Sequence, residues 1–194
     1  MKALLLAASA ALLVTACTTP LEEDMPPPAM AEPAGMPAPA YMEMAASSDM
    51  FEIQSGQLAL QRACDPAVRG FAQQIVADHT RMSNMMMSTA QANNLPPPPM
   101  GMAPHHAAML QRLQAAPAQG FDAAFRTEQI AAHQEALSLH RGYAEDGDHA
   151  AMRGLAAQAV PAIEMHLQHA QTLPTATPCP GTQTEQMRRA GERG

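Results

Sequence analysis

Asp65-Pro-Ala-Val-Arg-Gly-Phe-Ala-Gln-Gln-Ile-Val-Ala-Asp-His79-Thr-Arg-Met-Ser-Asn-Met-Met86-Met-Ser-Thr-Ala90 is the stretch whose pattern decides the fold. Within it Val68, Phe71, Ala72, Ile75, His79, Met82, Met86 and Ala90 recur at spacings of three and four, the apolar stripe of an amphipathic helix. Asp65 offers a carboxylate at the cap, Pro66 occupies the favoured first helical position, and Asn93 and Asn94 end the run. So long a stripe needs other helices to cover it.

The flanking sequence supplies them. Upstream, the spacing predicts a helix from about Ser48 to Ala63, with Asp49 near its start and a two-residue turn before the helix that follows. Downstream, Phe121, Phe125, Ala132, His133, Ala136, Leu137 and His140 mark a helix over about Phe121 to Ala144. Met152, Leu155, Ala159, Ile163, His166, Ala170 and Leu173 mark another over about Asp148 to Leu173, close to a heptad core and interrupted by Pro161. Between the second and third of these, Pro96 to Pro99 open a long connection with a short helix near His105 to Ala115. Runs of β-branched residues that would form strands are scarce. The expected fold is all-α, a four-helix bundle over residues 45–173.

The ends have a different character. Lys2, the single lysine, precedes an apolar run from Ala3 to Ala16, the length of a secretory h-region and too short to span a bilayer. Leu13, Val14, Thr15, Ala16 and Cys17 resemble a bacterial lipoprotein box. That resemblance implies a signal peptide over 1–16, lipidation of Cys17 and a membrane anchor through that lipid; an ordinary signal peptide cleaved near Ala16 is the alternative. Thr18 stands where an aspartate would resemble an inner-membrane retention signal, which points to an outer-membrane lipoprotein facing the periplasm. Residues 17–44, with Pro26, Pro27, Pro28, Pro33, Pro37 and Pro39, are expected to be a helix-free tether, and 174–194 a disordered tail.

Composition excludes several classes. The chain has 194 residues and a net charge of -7, so it has no general excess of basic residues with which to neutralise a nucleic-acid backbone. Three cysteines are too few for a disulfide scaffold. No Gly-x-Ser-x-Gly elbow, Walker loop, dinucleotide fingerprint or Cys-x-x-Cys is present.

His79, His133 and His166 lie on the apolar stripes of three different helices, and Glu52 lies on the first, with small residues Gly56, Ala59 and Ala63 further along its face. Each long helix thus offers one inward polar group. Imidazole and carboxylate donors suit iron, zinc or copper, and a bundle core is where facing helices converge on an ion. Asp78, Gln129 and His169 are expected to orient the histidines. The other reading is a hydrogen-bonded polar network in the core, in a structural or interaction lipoprotein with an envelope protein partner. No Glu-x-x-His occurs, so the bridging carboxylates of a ferritin-type di-iron oxidase are missing and no reaction is assigned.

The stretches Gly56-Gln-Leu-Ala-Leu-Gln-Arg-Ala, Val68 to His79, Gly120-Phe-Asp, Ala132-His-Gln-Glu-Ala and Pro161 to His166 resemble a ferritin-like bacterial family of unknown function commonly labelled outer membrane protein. The resemblance spans nearly the whole helical core. It implies a four-helix bundle with Glu52, Asp78, His79, His133 and His166 as its polar positions, and it implies no activity.

Methionine is abundant. Met25, Met30, Met36, Met42 and Met44, with Met100 and Met102, are soft donors that suit Cu(I), and Met82 and Met86 follow His79 on its own face as copper ligands or as core filling. His105 and His106 are expected to be solvated. Cys64 and Cys179 could pair, but an up-down bundle would put the first helix's end opposite the fourth's.

Overall fold

The computed structural model describes residues 35–175 and Cys179. The signal peptide, Cys17, most of the tether and most of the tail lie outside those residues. Five α-helices follow in order: α1 (Ala38–Arg62), α2 (Pro66–Ala92), α3 (Pro104–Ala115), α4 (Phe121–Asp146) and α5 (Ala150–Thr172), with a 3-10 turn at Ala118–Gly120 before α4. The fold is an all-α bundle, and no strand occurs among the described residues.

α1 starts well before the expected Ser48, inside the stretch assigned to the tether. Pro37 is its N-cap and Pro39 falls in its first turn, where a proline's missing N–H costs no helical hydrogen bond. Asp148, in the α4–α5 turn, secures this end. Its Oδ1 accepts from the Ala38 N–H at 2.8 Å and from the Tyr143 hydroxyl at 3.1 Å. Tyr41 then stacks on Tyr143 with ring centroids 4.0 Å apart. Prolines that would break a helix in its interior here only mark where it begins.

α1 and α2 form one antiparallel pair, and α4 and α5 form the other. The α1–α2 turn is held by Asp122 at the start of α4, whose two oxygens accept from the Cys64 N–H at 3.1 Å and the Asp65 N–H at 2.9 Å. The connection after α2 therefore returns along the bundle before α4 begins. α3 packs against α1 and α4 on the way, and Arg62 caps its end by donating to the carbonyls of Leu113, Gln114 and Ala116.

This return reverses the expected geometry of the cysteines. Because the crossing resets the chain direction, α5 finishes at the same end as α1, and Cys179 reaches Cys64 to form a disulfide with Cα atoms 4.8 Å apart. His106 also departs from expectation: it is buried, its Nδ1 2.7 Å from the Ser47 hydroxyl.

The core has two apolar ends. Phe51, Phe71, Ile75, Leu113, Phe121 and Phe125 fill the end near the disulfide, while Tyr41, Met42, Met86, Tyr143 and Met152 fill the other. Gly56 permits a close approach of α1 to α2, since a Cβ there would stand 2.7 Å from Val76 Cγ2 and 3.1 Å from the Ala72 carbonyl oxygen. It brings backbones together and does not leave space beside Glu52. In register, the polar residues of the sequence pattern fall between the two apolar ends.

Asp122→Ala would leave the Cys64 and Asp65 N–H groups without their acceptors. The expected loss is about 1–3 kcal/mol of unfolding free energy, measured as a lower urea midpoint with an unchanged slope.

Candidate metal centre

Each long helix sends one polar side chain to the middle of the bundle: Glu52 from α1, His79 from α2, His133 from α4 and His166 from α5. All four are at most 2% exposed. The rings of His79, His133 and His166 form a near-equilateral triangle, with centroids 5.6, 5.6 and 5.5 Å apart. One donor atom from each lies within 4.8 Å of the other two.

The outer nitrogens of the triangle are all engaged. His79 Nδ1–H donates to Asp49 Oδ1 at 2.8 Å, and Asp49 Oδ2 accepts from the Ser83 hydroxyl at 2.9 Å. His133 Nδ1–H donates to the Gln129 carbonyl one turn back, at 2.8 Å. His166 Nε2–H donates to Asp78 Oδ2 at 2.8 Å, and Asp78 Oδ1 accepts from Arg81. Carboxylates and carbonyls only accept, so these three nitrogens carry the protons and the tautomers are set.

The other three nitrogens, His79 Nε2, His133 Nε2 and His166 Nδ1, are buried without a hydrogen-bond partner. This is the arrangement of metal-ligating imidazoles, in which the outer N–H is held and the remaining nitrogen is left for the ion.

Glu52 stands beside the triangle and outside the mutually close set. Its Oε1 is 3.4 Å from His133 Nδ1, and neither oxygen has a hydrogen-bond partner. Burial pushes its carboxyl up to about 7, against the opposing pull of His79 and the nearby Gln129 amide. Burial also pushes His133 down to about 3, helped by His79, and holds His166 below the usual range despite Asp78. Burial would lower His79 as well, but the hydrogen bond and charge of Asp49, with Glu52 and Asp78, raise it overall.

The expected orienting residues divide. Asp78 and the Gln129 backbone each hold a histidine, while the Gln129 side chain donates to Ser55 Oγ at 3.1 Å. His169 is exposed, with its ring 4.9 Å from that of Phe71 rather than on the triangle. The residue missed by the sequence pattern is Asp49. Its signal was its place one turn before Glu52 on the same face of α1, hidden by starting that helix at Ser48.

The chain belongs to the DUF4142 family, a domain of unknown function whose profile matches residues 24–173. No curated protein matches it. Among solved structures it is similar to CopM in the Cu(II)-bound form, with 24% identity and a TM-score of 0.61, covering 71% of this chain and 95% of that one. CopM in an Ag-bound form has 22% identity and a TM-score of 0.59, covering 70% and 93%. A DUF305 fragment from Deinococcus radiodurans has 17% identity and a TM-score of 0.59, covering 72% and 96%. At these identities the likeness establishes the helical fold.

Glu52 makes the metal-free protein pH-sensitive in a defined direction. A folded-state carboxyl near 7 binds more protons than its unfolded counterpart from the ordinary carboxylate range up to about 7, so stability falls as pH rises through that window. Glu52→Gln removes the effect. Its advantage over wild type is expected to grow by up to about 3 kcal/mol between about pH 4.5 and about pH 8, read from urea unfolding at a series of pH values in chelated protein.

Proposed function

We propose that this chain binds a transition-metal ion through His79 Nε2, His133 Nε2 and His166 Nδ1, with Glu52 as the adjacent carboxylate. The carrying observation is the set of three buried, partnerless nitrogens whose opposite ring nitrogens are all anchored. The rival, a hydrogen-bonded core network, accounts for the outer nitrogens and leaves the inner ones unpaired, at a cost of about 1–3 kcal/mol each. Nitrogen donors with a nearby carboxylate suit iron, zinc or copper. Copper is favoured by the fold's likeness to CopM, whose structures carry copper and silver. No catalytic step is assigned.

Protein purified without chelator is expected to carry close to one equivalent of metal and to melt higher with it than without. An ion at about a hundredfold its Kd adds about 2.7 kcal/mol. His133→Gln and His166→Gln should each abolish the metal-dependent rise. Metal-free wild type whose melting ignores zinc and copper would overturn the reading. Affinity should also fall as pH is lowered, because protons compete with the ion for the imidazole nitrogens.

The same reading places the protein in the cell envelope as a lipoprotein, held to the outer membrane and facing the periplasm. It rests on Lys2, the apolar run from Ala3 to Ala16, and Leu13-Val-Thr-Ala-Cys17. No helix among the described residues is long and apolar enough to cross a membrane. In bacterial cells fed a labelled fatty acid, wild type should incorporate label and partition with membranes, and Cys17→Ser should do neither.

A further inference from the structure

Beyond the histidine triangle the bundle holds a cavity of about 190 Å³, lined from all four long helices and including Tyr41, Asp49, Met82, Met85, Met86 and His140. Its place follows from register. Met82 and Met86 lie three and seven residues after His79, and His140 lies seven after His133, so the cavity is stacked along the same helix faces on the order of 10 Å further on. Asp49 borders both places, since it lines the cavity and holds His79.

The donors here are of a different kind. The three thioethers are soft and polarizable, and they are weak hydrogen-bond acceptors. His140 is buried, with Nδ1 3.0 Å from the Tyr41 hydroxyl; in the tautomer that donates Nδ1–H to the Tyr41 oxygen, Nε2 carries the lone pair a ligand would use. Burial pushes this imidazole down to about 4, so the ring is neutral near neutral pH. The Tyr41 hydroxyl is held protonated, again chiefly by burial. Arg81 also lines the cavity, but its guanidinium is paired with Asp78 at 2.8 Å. Met85 is 38% exposed and Met86 only 3%, so the methionines run from the protein surface inward.

We propose that this cavity is a second metal site, separate from the histidine triangle, which takes a soft monovalent cation, Cu(I) or Ag(I), through the sulfurs of Met82, Met85 and Met86 and Nε2 of His140. Thioether and imidazole suit such ions, whereas Zn(II) has little affinity for thioether. The assignment stands on the cavity and its donors and does not require the triangle to bind metal.

Ag(I) is the probe, because it needs no reductant. Full-length protein labelled at the methionine methyl groups is titrated with Ag(I) and followed by NMR, with and without the volume-conserving Met82→Leu/Met85→Leu/Met86→Leu substitutions. The first equivalent should shift the signals of Met82, Met85 and Met86. The triple variant should bind Ag(I) at least tenfold more weakly at this site and bind Zn(II) as wild type does. His133→Gln should show the reverse pattern, losing Zn(II) and keeping the methionine shifts. Should the triple variant fold poorly, His140→Gln tests the same site and should weaken the same response. The proposal is overturned if the first equivalent shifts other methionines and leaves these three unmoved, or if His140→Gln and the triple variant both retain wild-type Ag(I) affinity. Loss of Zn(II) binding by the wild type would instead count against the triangle alone.

Discussion

The centre depends on a single constraint: each of three buried imidazoles must give its outer N–H to an acceptor supplied by the bundle. Asp49, the Gln129 carbonyl and Asp78 meet it. An imidazole has two nitrogens on opposite sides of a rigid ring, so fixing one fixes where the other points. The helices that carry the rings then have little freedom to rotate about their own axes. The polar belt consequently does for helix register what the apolar ends cannot, because apolar contacts are non-directional. Phe71 on one side and Met86 on the other fill space, while the histidines specify which face of α2, α4 and α5 looks inward.

The long connection after α2 is the topological feature that makes this possible. It lets α1 run antiparallel to both α2 and α4, so that Asp49 and Glu52, one turn apart on α1, face His79 and His133 from the same side. Asp122 and the Cys64–Cys179 disulfide tie the two helix pairs at one end, and Asp148 ties α1 to the α4–α5 turn at the other. The site lies between these two fastenings.

Much of this was legible in the sequence, and the misreadings have definite physical causes. Periodicity located the four long helices because apolar spacing is a local signal, and it put His79, His133 and His166 on inward faces for the same reason. The start of α1 was hidden because a proline breaks a helix in its interior, whereas at a helix start, where Pro37 and Pro39 stand, it gives up nothing. That error also concealed Asp49, since a carboxylate near a helix start suggests a cap, whereas one in mid-helix must find a partner across the bundle. The Cys64–Cys179 pairing stayed open in the sequence because chain direction after a crossing is a long-range property that no local pattern carries. His169 shares a helix with His166 but lies three residues on, and its angular offset was enough to put it against Phe71 at the surface.

Glu52 is best understood as charge balance. Its Oε1 lies 3.4 Å from His133 Nδ1, whose proton already goes to the Gln129 carbonyl, and Glu52 is outside the mutually close set of donors. A divalent ion among three neutral imidazoles in a dry core would be costly without nearby negative charge. Asp49, Asp78 and Glu52 provide it, two of them through the very hydrogen bonds that orient the rings. Burial keeps Glu52 itself from ionising until about neutral pH, while the hydrogen bond and charge of Asp49 raise His79 against its own burial. On the proposed reading, protons and a cation would compete for the same buried groups, with the carboxylates near both. Occupancy on that reading would depend on pH as well as on metal supply.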